Sequence, residues 1–203
     1  MTEPQPRSII FIPELGELPD AFTDAVNALP RDLALRPRIA PWSGTVDQGT
    51  ADVEGLLDRE ELRRIILVGA GRGAAVALRI AATQPHRVTG LVLDSPVTAV
   101  DGARLKGVSA ALKITPGFLF RRRNKRELLE QVADLGQEQT FDSSRILAPT
   151  LIITGGADPT AGVAQLRAEL PDARQVSIAG AGRLTYRTHA PAFGAAIGDF
   201  LPD

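Results

Sequence analysis

Two stretches of this 203-residue chain carry residue types and spacing that could do chemistry. One is Gly69-Ala70-Gly71-Arg72-Gly73-Ala74; the other is Asp94-Ser95-Pro96. A serine hydroxyl attacks a carbonyl when a base takes its proton and an acid orients that base. Histidine is the usual base, and the chain has only two, His86 and His189. His86 lies in a turn after a helical run and His189 just before the last helical run, so both read as solvated histidines. The glycine run follows an apolar strand and opens a helix, where backbone N–H groups and the helix dipole favour an anion. It also fits the dinucleotide fingerprint G-x-G-x-x-[GA], with Asp94 about 20 residues further on, where a ribose-binding acid would stand. Against nicotinamide or flavin binding, the run falls on the third predicted strand and not the first.

These residues need elements to hold them, and short apolar runs bounded by Pro and Gly supply strands. The runs are Ser8–Ile12, Arg36–Ala40, Ile65–Val68, Val88–Leu93, Thr150–Thr154 and Gln175–Ile178. Several are apolar on both faces, as strands of a parallel sheet covered by helices should be. Helical patterns fall between them, near Asp20–Leu29, Thr50–Leu62, Gly73–Gln84, Gly162–Leu170 and Pro191–Phe200. The alternation predicts an α/β fold with a doubly wound, mostly parallel sheet of about six strands. Residues 97–147 break the rhythm with two helical patterns, Val100–Leu112 and Lys125–Leu135, and read as a short helical cap within a single domain 1–203.

Composition narrows the function classes. Hydrophobic residues make up 44% and charged residues 23%, with a formal net charge of −1, so nothing global draws the chain to nucleic acid or membrane. There is no cysteine, which removes thiolate metal sites, cysteine nucleophiles and disulfides together and suits a cytoplasmic location. With two separated histidines and no carboxylate spacing of a ligand set, no metal or cofactor is expected. Apolar Ile9–Ile12 is too short for a signal peptide or a membrane span.

Taken in order, four segments resemble the α/β-hydrolase superfamily. Ile9–Phe22 is similar to its first core strand and oxyanion loop, with Pro13 and Glu14 where His-Gly often stands and Gly16 kept. Ile65–Pro96 resembles its nucleophile elbow, G-x-S-x-G, with Gly69 and Gly73 at the outer positions and Gly71 at the serine. Ala148–Pro159 is similar to the strand and turn that present the triad acid, which would be Asp158. Ile178–Leu201 resembles the last strand, histidine loop and terminal helix, with Arg183 where the histidine belongs.

The resemblance thus implies a hydrolase homologue with two triad members replaced. Glycine has no atom to attack with, and arginine does not deprotonate at physiological pH. The main expectation is a non-catalytic protein with a small-molecule-binding, regulatory or scaffold role. An enzyme with a relocated site, using Ser95 or the Arg72 amide with Arg183, remains open. Ligand-contact candidates are Gly16, Arg72, Ser95, Asp158 and Arg183. Two arrangements are open for Arg183: an ion pair with Asp158, or capture of a carboxylate or phosphate beside the Arg72 amide.

Other features have two readings each. Arg121–Arg126 after Ile114–Phe120 is either the solvated start of a helix or, with Phe118, Leu119, Phe120, Arg121, Arg122 and Arg123, a docking surface for a protein partner. Trp42 either lines a pocket or packs behind the second strand.

Overall fold

The computed structural model describes residues 7–97, 110–115, 129, 133, 141–157 and 163–201. Six strands form one sheet: β1 (Arg7–Ile12), β2 (Leu35–Ile39), β3 (Ile65–Ala70), β4 (Val88–Asp94), β5 (Thr150–Gly155) and β6 (Arg174–Ile178). Their order is β2-β1-β3-β4-β5-β6, and every neighbouring pair is parallel. The helices are α1 (Thr23–Asn27), α2 (Val46–Arg59), α3 (Gly73–Thr83), α4 (Val163–Glu169), α5 (Thr185–Thr188) and α6 (Ala190–Phe200). The expected doubly wound parallel sheet of six strands is therefore present.

Strand periodicity divides the core in two. Ile10, Ile12, Ile65, Leu67, Leu91, Leu93 and Ile152 face α2, α3 and α4. Ile9, Phe11, Ile66, Val68, Val92, Leu151 and Ile153 face α1 and α6. Successive side chains point to opposite faces, so a strand covered on both sides must be apolar at every position. Strand β3, IILVGA, is buried at all six positions, whereas edge strand β2, LRPRI, alternates. Because α1 and α2 lie on opposite faces, strand order reverses between β1 and β3, and a crevice opens above their C-terminal ends.

Boundaries differ from expectation where local chemistry overrides periodicity. The helix expected over Asp20–Leu29 divides into a 3-10 turn, Pro19–Phe22, and short α1. Helix α2 starts at Val46, before the expected Thr50, because Thr45 and Gln48 form a reciprocal capping box. Residues 110–114 are helical, overlapping the end of the first helix expected of the cap and running two residues past it. The rest of that helix, most of the second, and Phe118, Leu119, Phe120, Arg121, Arg122 and Arg123 lie outside the described residues.

Candidate functional site

The crevice above β1 and β3 is built around a sharp turn. Strand β3 ends at Ala70 and α3 begins at Gly73, leaving two residues to reverse the chain. So abrupt a turn demands close backbone approach. A Cβ on Gly69 would lie 2.6 Å from the Ala74 Cα and 2.9 Å from its amide nitrogen. One on Gly73 would lie 2.9 Å from the Ile12 carbonyl carbon, so α3 starts directly against the end of β1. Gly71, at the tip, has φ +55, a left-handed conformation that glycine adopts without the cost a side chain would carry. Its N–H donates to the Asp94 carbonyl at 2.9 Å, and its own carbonyl accepts from Val97 at 3.1 Å.

In front of Gly71 lies a carboxylate. Glu14, on the loop after β1, accepts from the Arg72 N–H at 3.2 Å and from its neighbour Leu15 N–H at 2.9 Å. The Arg183 guanidinium donates to the other oxygen of the same carboxylate. A Cβ on Gly71 would fall 2.8 Å from the Glu14 Cδ and 3.0 Å from the Arg183 Nη2. The Glu14 side chain is 15% exposed and that of Arg183 45%. Arg183 and the Arg72 amide thus meet at one carboxylate, which is supplied by the chain itself and not by a ligand. Among the described residues Arg183 pairs with Glu14; Asp158, its other expected partner, lies outside the described residues.

A second acid stands beside the first. Glu17 accepts from the Tyr186 hydroxyl and, at 3.0 Å, from Arg187. Loss of water on burial pushes the Glu17 pKa up; Arg187 opposes this, and the Glu14 charge adds to it. Glu14 and Glu17 therefore bind Arg183 and Arg187 across the crevice, tying the loop after β1 to the segment before α6.

Asp94 and Ser95 act beneath that segment. Asp94 is fully buried; its Oδ1 accepts from Thr185 Oγ1 at 3.0 Å and from Ser95 Oγ at 3.2 Å, and its Oδ2 accepts from the Tyr186 N–H at 3.2 Å. Ser95 Oγ accepts in turn from the Leu184 N–H at 3.1 Å. Leu184 has φ +60 and Ser95 φ +47, so two strained residues are held by one buried network. Ser95 is itself fully buried, so its hydroxyl fixes the loop and presents no surface to a ligand. Tyr186 stacks on Phe22 with ring centroids 4.1 Å apart, which joins the network to the core.

The remaining candidates fall into place around this centre. Gly16 is exposed on the Glu14–Glu17 loop at φ +79. Trp42 is buried, donates to the Pro13 carbonyl at 2.8 Å and lies under the Arg72 guanidinium, 5.9 Å from the ring centre. It packs, and by holding Pro13 it sets the position of Glu14. His86 is exposed in the turn before β4, at the opposite edge of the sheet from Gly71, while His189 caps α6 and contacts Thr188 Oγ1. Neither histidine approaches Gly71 through any contact of the described residues. The same residues contain no metal-binding cluster of His, Cys, Asp and Glu, and no helix long and apolar enough to cross a membrane.

Glu17, Thr185 and Tyr186 were not singled out by their sequence positions, and Glu14 stood out only as a departure from the oxyanion-loop pattern. For Glu14 a signal existed: an acid had entered the oxyanion-loop pattern while an arginine had entered the histidine loop.

Known structures share the fold over nearly the whole length of the chain. A hydrolase from Pseudomonas aeruginosa PA01 superposes with TM-score 0.75 at 21% identity, covering 98% of this chain and 91% of that one. A bromoperoxidase from Bacillus anthracis gives TM-score 0.74 at 20% identity, over 98% and 93%. The fold is that of the α/β-hydrolases. In sequence, the chain is 37% identical over 105 residues to Lipase LipV of Mycobacterium tuberculosis, a stretch that is 52% of this chain and 38% of LipV. The chain therefore matches well under half the length of that curated relative. No protein-family model matches the chain.

Proposed function

We propose that this α/β-hydrolase-fold protein does not hydrolyse esters and serves as a binding, regulatory or scaffold protein. The observation that carries the reading is the residue at the tip of the turn between β3 and α3. Gly71 keeps the left-handed backbone of a nucleophile elbow and has no side chain to attack with. The residue at the resembling histidine position supports it, because an arginine is no general base and Arg183 is engaged by Glu14. Ser95 offers no replacement nucleophile, being enclosed between Asp94 and the Leu184 amide.

The names of the relatives choose the reaction to test. Purified protein is assayed with a series of activated acyl esters from acetate to long-chain, alongside a Ser95→Ala variant. No turnover above buffer is expected from either. Wild-type turnover that Ser95→Ala abolishes would show a relocated serine site and overturn the reading.

A further inference from the structure

Three parts of the crevice arrive at one point from distant places in the chain. Glu14 comes from the loop after β1, Gly71 from the turn after β3, and Arg183 from the loop after β6. The Glu14 carboxylate accepts the amide hydrogen of Arg72, the first N–H beyond the tip of the turn. It also takes up the volume directly in front of Gly71, since a Cβ there would fall 2.8 Å from its Cδ. Real Cβ atoms do not approach carbon so closely, so a side chain at position 71 and the present Glu14 conformation exclude each other. Arg183 holds the carboxylate from the solvent side, and Trp42 anchors the preceding Pro13 by its carbonyl.

From this we infer that Glu14 is a built-in stopper: its carboxylate, latched by Arg183, closes the space in front of Gly71 and occupies the Arg72 amide, so that a side chain introduced at 71 has to displace it. The inference deepens the non-hydrolytic reading and rests on it only for the role of position 71. It goes further in placing the block in a second residue, so that restoring a nucleophile to the turn is not enough to open the crevice.

Because the chain has no cysteine, Gly71→Cys gives a single thiol reporter at the tip. The thiolate is the reactive form, and a neighbouring carboxylate disfavours it while arginine and a helix-start amide favour it. Alkylation by iodoacetamide at neutral pH is timed by mass spectrometry for Gly71→Cys, for Glu14→Ala/Gly71→Cys, and for the latter with Arg183→Gln added. Removing Glu14 is expected to speed alkylation about tenfold, the effect of one pKa unit on the thiolate fraction. Adding Arg183→Gln is expected to slow it again. Equal rates with and without Glu14 overturn the inference.

If Gly71→Cys does not fold, the same question is put to Gly71→Ala by urea unfolding. The fall in its midpoint is expected to be smaller in a Glu14→Ala background than in wild type. An equal fall in both overturns the inference. Ester turnover by the unmodified protein would refute the non-hydrolytic reading while leaving these comparisons intact, so the two failures are separable.

Discussion

Asp94 is the residue on which the geometry of the crevice turns. Its carboxylate receives Thr185, Ser95 and the Tyr186 amide in a fully buried place, and its carbonyl receives the Gly71 N–H. Deleting one side of a buried hydrogen-bonded group strands the partners without water, which costs more than the bonds contribute when intact. Asp94→Ala is expected to lower unfolding free energy by about 3–5 kcal/mol, the range for breaking a buried charged group's partnerships. Ser95→Ala is expected to lower it by about 1–2 kcal/mol, since one buried amide loses its acceptor. Urea unfolding of the two variants checks both size and order; a larger loss for Ser95→Ala would contradict this account. The sequence made Asp94 and Ser95 visible as a strand-end pair. Their partners could not be read there, because Thr185 and Tyr186 lie 91 and 92 positions away and meet Asp94 only once the sheet is assembled. The same distance in chain hid Glu14, 169 residues from Arg183.

At the scale of elements, two acid–arginine pairs join the loop after β1 to the segment from Arg183 through short α5. Burial raises the Glu17 pKa, with the nearby Glu14 charge contributing. The sign follows from linkage: a carboxyl whose folded pKa exceeds its unfolded value binds protons more tightly in the native state. Its protonation therefore stabilises the fold as pH falls through the raised value towards the ordinary glutamate value, and this contribution disappears as pH rises. Glu17→Gln should abolish that component, so the stability difference between wild type and variant should move in favour of wild type as pH falls through this window. Chemical denaturation of the pair at a series of pH values measures it; a difference independent of pH would show that Glu17 is ionised alike in both states. Elements themselves were largely legible. Runs such as Ile65–Val68 and Thr150–Thr154 marked strands because double burial forbids polar residues there, and structure extends them by one or two residues into the turns. The start of α2 was misplaced although Thr45 and Gln48 carried the capping signal in full view.

For the molecule as a whole, protection should grade across the sheet. Strands β3 and β4 are central, paired on both sides and almost wholly buried, while β2 and β6 are edges, β2 never fully buried and β6 buried only at Ile178. Opening free energies span from fraying edges to the global value, so amide exchange should be slowest in β3 and β4 and fastest among strands in β2 and β6. Peptide-resolved exchange tests the grading, and uniform protection across the six strands would refute it. The crowding of Glu14 against position 71 has a consequence in evolutionary time. A serine arriving first at 71 meets the carboxylate; loss of Glu14 first removes the partner Arg183 now has; a change at Arg183 first leaves a shielded acid with one donor fewer. Each single change thus disturbs a contact that the other two residues share, which couples the three positions as substitutions accumulate.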